Sequence, residues 1–512
     1  MIRRALISVY DKSGLEPFAR GLIEQDVELV ASGGTASYLQ KLGLAVTPVE
    51  ELTEVPELLG GRVKTLHPRI HAAILARRDR PDDNAALDEH GIEPFDLVCV
   101  NLYPFEDVVA RRAVGERDAV EMIDVGGPAM LRAAAKNFQH VAPVARPERY
   151  EQVLEELRER GDLLLETRRR LAAETFALTA AYEAAIANWF SDPEAFPDAL
   201  LPCFTKEAEL AYGENPHQRA AYYAERGARR HLLSRVDQLH GRELSFNNLS
   251  DLSAARLVAH EFELPACVIV KHANPCGVAV AGSIEQAYDR ALAADPLSAY
   301  GGVVVLNRPV STELGERLAE QFVEVLFAPG YDDAALEALT QKPATRILED
   351  RERRLTNPGE RDYKRVLGGL LVQERDADVE DREGMEVVCG APSEMAWGDL
   401  LFAWRVCKHV TSNAIVLAHD LQTIGVGAGQ MSRVDAVRIA LDKAREHGHQ
   451  IAGGVIASDA FFPFADGPQL ALAAGIGGVI QPGGSKRDSE VIEAVERAGA
   501  TMIFTHRRHF RH

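Results

Sequence analysis

The chain has 512 residues, 46% hydrophobic and 26% charged, an ordinary globular composition too long for one core, so two or more domains are expected. Its 77 acidic and 57 basic side chains leave a formal charge of −20, which repels phosphate backbones; with no basic stripe longer than "RRHFR" near the C-terminus, no nucleic-acid partner is expected, while small anionic ligands remain open. Six cysteines without a C-x-x-C pair read as reduced thiols, the opening "MIRRALISVYDKSG" reads as a first strand rather than a signal peptide, and no apolar run nears the roughly 20 residues of a membrane helix, so a cytoplasmic protein without membrane contact is expected.

From 1 to about 140, short apolar runs alternate with helical periodicity. "RALISVY" precedes "GLEPFARGLIEQ", "VELVAS" precedes "GGTASYLQKLG", and "LVCVNLYPF" and "HVAPVA" are further strands, a pattern that predicts a parallel α/β sheet. Helices follow over 147–190, and the proline-rich "SDPEAFPDALLP" (191–202) places a domain boundary at 195/196. The second part is α/β again: "ACVIVKH" leads to "SIEQAYDRALAAD", "GGVVVLN" to "TELGERLAEQF", and "NAIVLA" with "QTIGVGAG" to "SRVDAVRIALDKAREH". A charged stretch within 332–386, including "EDRERRLTNPGERDYK", separates two strand-rich halves. Each half holds a Lys-His pair, Lys271-His272 and Lys408-His409, which hints at duplication.

Several segments carry residues that packing alone does not require. "VASGGTAS" sets Ser32, Gly33, Gly34 and Thr35 between a strand and a helix, where free amides attract phosphate. "DVGGPAM" repeats the arrangement and puts Asp124 at a sheet end, with Lys136 on the helix that follows. "GGRVKTLHPRIH" gathers Arg62, Lys64, His67 and His71 in a shaped loop suited to an anion, and "NLYPF" ends a strand on Tyr103. In the second part, "AYGENPHQ" holds Tyr212 and His217. The strand "CVIVKHANPCG" stops at Lys271 and His272, then turns sharply through residues 274–277. Asn274 and Ala279 stand where a zinc deaminase needs a glutamate and its second cysteine, which argues against zinc. "GVGAGQMSR" is too loosely spaced for a dinucleotide fingerprint, but Ser432 and Asp435 mark a helix start. "SDAFFPFADG" groups phenylalanines with Asp466, a setting for a flat heterocycle.

Together "SGGTA", "KTLHP", "NLYPF", "DVGGPAM", "RAAAKN", "YGENPHQ", "KHANPCG", "KHVTSNA", "GVGAGQMSR", "SDAFFPF" and "RHFRH" resemble the bifunctional family of AICAR transformylase and IMP cyclohydrolase over nearly the whole chain. The resemblance implies an α/β protein. Residues 1–195 would be a methylglyoxal-synthase-like parallel-sheet domain closing formyl-AICAR to inosine monophosphate, and 196–512 a cytidine-deaminase-like domain in two similar halves. That second domain would transfer formyl from 10-formyltetrahydrofolate to AICAR.

By motif position Lys64, Tyr103, Asp124 and Lys136 would be catalytic in the first domain, with Lys12, Ser32, Gly33, Gly34, Thr35 and Arg62 on the nucleotide phosphate. Lys271, His272 and Asn413 would be catalytic in the second. Tyr212, His217, Gly301, Glu324, Arg433, Phe461 and Arg508 would bind or support nucleotide, and Asp466 the folate pterin. The resemblance implies no catalytic metal, leaves a monovalent cation open, and implies a homodimer whose transformylase sites span the interface.

Two departures from the family pattern stand out: Ala211 replaces the arginine usual before the tyrosine of "YGENPHQ", and Tyr10 replaces a small hydroxyl residue. Two other readings remain at the level of sequence, a nucleotide-sensing regulatory protein without turnover and a hydrolytic deaminase that would require zinc.

Overall fold

The β-branched runs of the first part become β1 (Arg4–Ser8), β2 (Glu28–Ala31), β3 (Thr47–Pro48), β4 (Leu97–Val100) and β5 (Ala142–Val144). They pair in the order β3-β2-β1-β4-β5, all parallel, as the alternation predicts. Every residue of β4 is buried because helices cover both faces. On one side Phe18 of the helix Leu15–Glu24 stacks on Tyr150 at a ring separation of 4.3 Å; on the other, Ile70, Met130 and Leu131 pack from the helices Pro68–Leu75 and Gly126–Lys136. Strand order reverses at β1, so the loops leaving β1 and β4 part at their C-terminal ends and open a crevice, the usual ligand position in such sheets.

The computed structural model describes residues 1–111, 114–191, 196–226, 232–350, 360–378 and 382–512. Two compact units emerge, one built on Met1–Phe204 with Glu225–Gly227, the other on Thr205–Ala224 with Ala228–His512. The boundary expected at 195/196 abuts residues 192–195, and the charged stretch includes 351–359 and 379–381; those residues lie outside the described ones.

Beyond the first unit come β6 (Phe204–Leu210), β7 (Ala220–Glu225), β8 (Val236–His240), β9 (Ala266–Lys271), β10 (Asn274–Val280), β11 (Val303–Leu306), β12 (Val325–Ala328) and β13 (Arg346–Asp350). They are followed by β14 (Arg361–Val366), β15 (Gly369–Glu374), β16 (Glu386–Cys389), β17 (Ile415–His419), β18 (Gln422–Gly427), β19 (Val455–Ser458), β20 (Gly478–Gln481) and β21 (Thr501–Phe504). β6 pairs with β7 and β14 with β15 as separate hairpins; the other twelve form one sheet, β16-β21-β20-β19-β17-β18-β10-β9-β11-β12-β13-β8.

This sheet is a duplication. Outward from the β18–β10 junction, where Ala279 faces Gln422, both sides run antiparallel, antiparallel, parallel, parallel, antiparallel. Helices match too: Phe246–His260 and Glu394–Cys407 pack into one shared core, Ile284–Ala294 and Arg433–Glu446 into two separate ones. The closest approach repeats in detail, because a Cβ on Gly277 would overlap the carbonyl oxygen of Ala291 and one on Gly425 that of Ala440.

Two expectations need correction. The dipeptides that hinted at duplication are not equivalent: Lys271-His272 sits at a strand end, whereas Lys408-His409 follows the helix Glu394–Cys407, and the counterpart of Lys271 is His419. Nor does the chain turn through 274–277. Those residues are strand, and the turn is His272-Ala273 itself, a two-residue hairpin loop with Lys271 facing Asn274.

Candidate active sites

In the first unit, the crevice loops are joined by Asn101. Its Oδ1 accepts the amides of Tyr10 (2.6 Å) and Asp11 (3.2 Å), and its Nδ2 donates to the carbonyl of Asp11 at 2.7 Å. Tyr10 in turn stands 5.3 Å, ring to ring, from Tyr103, and Lys12 Nζ donates to the Tyr10 carbonyl at 3.3 Å. Sequence reasoning passed over Asn101, although a polar residue ending an apolar strand inside "NLYPF" was signal enough.

Ser32 heads the helix Gly33–Lys41, its Oγ 2.6 Å from Ser8 Oγ. Thr35 Oγ1 is committed to Val9, the residue after β1, accepting its amide and donating to its carbonyl, each at 3.1 Å. What Thr35 gives the loop is therefore shape. The amides of Gly33 and Gly34 begin the helix, where no intrahelical carbonyl can reach them, and a helix start of this kind suits an anion. Gly34 faces open space, with nothing within 4 Å of where a Cβ would stand.

Lys64 reaches this helix start: its Nζ lies 3.2 Å from the position of a Cβ on Gly33 and 3.1 Å from Glu57 Oε1. Glu57 was not foreseen, since nothing local marks it. Arg62 pairs with Glu121 at 2.5 Å, but both side chains are more than half exposed (61% and 53%), so the pair is worth little and leaves the guanidinium available to an anion. His67 and His71 separate from the basic cluster. His67 Nδ1 caps the helix Pro68–Leu75 through the Arg69 amide, and burial holds the His71 imidazole below its ordinary range.

Asp124 stands at the head of the helix Gly126–Lys136. Its Oδ1 accepts the Gly127 amide at 2.8 Å, its own amide donates to Tyr182 Oη at 2.8 Å, and a side chain on Gly127 would overlap its carboxylate. Burial raises its carboxyl above the usual range, partly offset by the amides of Gly127 and Tyr103, which makes it a better base than a free aspartate. The loop bearing Lys64 touches the same helix start, since a Cβ on Gly126 would lie 2.9 Å from Thr65 Oγ1. Lys136 does not join the group: it is exposed in the last turn of that helix, about 15 Å along the axis at 1.5 Å per residue.

In the second unit, His272 and Ala273 carry φ of +52° and +60°. Side chains in the left-handed region cost about 1–3 kcal/mol each and persist only where the surroundings impose the conformation. Here the Asp251 carboxylate accepts the Ala273 amide at 2.6 Å, and Asn274 Nδ2 donates to the His272 carbonyl at 3.2 Å. Lys271 Nζ donates to the carbonyls of Gly301 (2.7 Å) and Tyr300 (3.3 Å), while His272 is exposed at the tip.

Asn274 Oδ1 also accepts the Thr411 amide at 2.9 Å, which draws the segment bearing Asn413 toward this hairpin. Asn413 Nδ2 donates to the Gln430 carbonyl at 2.7 Å, and its Oδ1 accepts from Arg433 Nη2 at 2.8 Å. Arg433 is itself buried against Asp459 and Ser458, so it supports Asn413 from beneath rather than facing a ligand.

Other expected residues form a second layer. Glu324 follows Gly301 closely, its amide donating to the Gly302 carbonyl, and its carboxylate accepts from Asn248 Nδ2 at 2.9 Å. The Tyr212 carbonyl accepts the Phe246 amide at 3.1 Å, which seats the exposed His217 segment on the start of the same helix as Asn248. Phe461 is 40% exposed beyond β19, and Asp466 heads the helix Asp466–Ala473.

A cavity of about 1530 Å³ lies elsewhere in this unit, lined by His260, Lys408, His409, Arg508 and Arg511 among others, but by neither Lys271 nor His272. Arg508 is the expected site residue that borders it, stacked over Phe510 at 4.5 Å. The buried Lys408 and His409 are held there by Glu261, at 3.7 Å and 2.7 Å.

A parallel α/β unit with an anion-receptive crevice and a duplicated α/β unit with a charged hairpin define a two-domain enzyme class acting on small anionic substrates. Residues 14–129 match the MGS-like domain model and residues 134–443 the model of the AICARFT/IMPCHase bienzyme. The chain belongs to the AICARFT/IMPCHase bienzyme family. It is 48% identical over 522 residues to the "Bifunctional purine biosynthesis protein PurH" of Halalkalibacterium halodurans, covering 100% of both chains. It is 49% identical over 534 residues to the protein of the same name from Magnetococcus marinus, covering 100% of this chain and 99% of that one. A solved structure titled "Crystal structure of ForH" is 40% identical and covers 37% of this chain and 96% of its own, with a TM-score of 0.33. The sensing alternative without turnover finds no support in these relatives.

Proposed function

We propose that the chain performs the two closing steps of purine-nucleotide synthesis in sequence, formyl transfer from 10-formyltetrahydrofolate to AICAR and dehydrative closure of formyl-AICAR to inosine monophosphate. The observation that carries this reading is the full-length correspondence with bifunctional relatives, which spans both units.

For transfer, the weakly nucleophilic AICAR amine attacks the formyl carbon and the bond from that carbon to the folate nitrogen breaks. His272, exposed at the hairpin tip, takes the amine proton; Lys271 faces the oxyanion and supplies the proton that the departing folate nitrogen needs; Asn413 orients the formyl group. Gly301, Glu324, Tyr212, His217, Phe461 and Arg508 contribute to nucleotide binding and Asp466 to the pterin, with Arg433 as scaffold.

For closure, Asp124 removes a proton from the carboxamide nitrogen as it attacks the formyl carbon; that proton and the one given up by the formamido nitrogen end on the formyl oxygen, which Lys64 steadies and which leaves as water. Tyr103 lies beside them. The phosphate sits on the Gly33 and Gly34 amides, with Lys12 and Arg62 supplying charge. A homodimer with shared transformylase sites, a cytoplasmic location and a 1–195/196–512 division complete the reading.

The test mixes the purified chain with AICAR and 10-formyltetrahydrofolate and follows formyl-AICAR and inosine monophosphate by mass spectrometry. His272→Ala is expected to abolish transfer and spare closure of supplied formyl-AICAR, and Lys64→Ala to do the reverse. Equal loss of both activities in either folded variant would contradict the two-site assignment.

A further inference from the structure

Asp251 lies on the helix Phe246–His260, six residues beyond the serine that caps it, Ser245. Its carboxylate accepts the Ala273 amide at 2.6 Å and lies against the His272 amide, the two donors of the left-handed turn. The second half repeats the device. Asp399, six residues beyond its capping Ser393, accepts the amides of Asp420 (2.9 Å) and Leu421 (2.7 Å), and those residues have φ of +52° and +56°.

Two-residue hairpin loops of this kind favour Asn-Gly because both residues take positive φ. His272 and Asp420 are types that tolerate the first position, but Ala273 and Leu421 stand where glycine is favoured, so an outside acceptor helps to hold each turn. The tips differ in what they carry: Asp420 is paired with Arg290 at 3.0 Å, whereas His272 is exposed beside Lys271.

We propose that Asp251 is a positioning residue for formyl transfer, clamping both turn amides so that His272 leaves the hairpin in one direction while Lys271 stays against Gly301. The inference rests on the reading of His272 as the transfer base. Without the clamp, the turn relaxes toward negative φ and swings the imidazole away. Small displacements of a base cost rate far more than they cost substrate binding. Asp399 is the built-in control, the same clamp on a hairpin without that base.

The experiment measures kcat and KM of transfer, and closure of supplied formyl-AICAR, for full-length Asp251→Asn, Asp399→Asn, Ala273→Gly, the double variant Asp251→Asn with Ala273→Gly, and His272→Ala. Asp251→Asn is expected to lower transfer kcat at least tenfold, with KM for AICAR within threefold and closure unchanged. Asp399→Asn keeps transfer kcat within threefold, and Ala273→Gly restores part of the loss because glycine takes positive φ without help. If Asp251→Asn does not fold, the double variant is judged against Ala273→Gly alone by the same criterion. Transfer within twofold of wild type, or equal losses in Asp251→Asn and Asp399→Asn, would overturn the proposal. Full transfer by His272→Ala would instead overturn the underlying site assignment.

Discussion

Lys271 Nζ and the carbonyl of Gly301 are 2.7 Å apart, and Gly301 holds its left-handed φ of +66° where a side chain would press on Phe322 and touch the lysine. A methyl group there would lie 3.4 Å from Lys271 Nζ and 3.0 Å from the Phe322 ring. Gly301→Ala is therefore expected to lower formyl transfer at least tenfold, to cost about 1–3 kcal/mol of stability, and to leave closure of formyl-AICAR alone. Steady-state assays of the two half-reactions check this; transfer at wild-type rate would refute the packing argument.

Asp124 trades stability for chemistry. Burial raises its carboxyl in the folded chain, so its favourable contribution is present below the ordinary value of 3.8 and is lost as pH rises through the raised one. At neutral pH the buried charge is a cost. Asp124→Asn should abolish closure and raise the melting midpoint of the first unit at pH 7, with the gain shrinking toward pH 4. A lower midpoint at pH 7 would show that the Gly127 contact outweighs burial.

Duplication makes a paired prediction about packing. Gly277→Ala and Gly425→Ala both force a Cβ into a helix carbonyl and should destabilise by similar amounts, of order 1–3 kcal/mol or more, whereas Gly34→Ala meets open space and should leave stability nearly unchanged. Urea unfolding of the three variants decides it.

His409 gives a pH signature. Burial holds its imidazole below 6.5 against the opposing pull of Glu261, so the folded chain keeps it neutral where the unfolded chain takes up a proton. That contribution is present above 6.5 and is lost as pH falls. The urea midpoint of the wild type should fall more steeply from pH 7 to pH 5 than that of His409→Asn. Parallel profiles would count against a neutral buried imidazole.

Sequence periodicity recovered the strands and helices wherever a single apolar stripe or run decided the outcome, as in β4, β11 and the helix Arg433–Glu446. It failed at His272-Ala273, because Ala273 does not prefer the left-handed turn and the cause, Asp251, is 22 positions upstream of it. The same limit hid Glu57 from Lys64 and sent the duplication argument to Lys408-His409, when the repeating signal lay in Gly277 and Gly425. Thr35 and Arg433 were picked out by motif, yet their polar atoms face Val9, Asp459 and Asn413, contacts that only the fold reveals.

Fusing the two copies into one continuous sheet has an evolutionary consequence. In a symmetric pair of identical chains, any substitution lands in both tips at once, so neither can specialise without the other. Once the copies share a chain, joined where Ala279 faces Gln422, each hairpin can drift alone: one carries a lysine and an imidazole at its tip, while the other has the same turn, clamp and glycine contact with its tip aspartate paired to Arg290. The second half thus shows what the hairpin scaffold requires apart from the residues its tip presents.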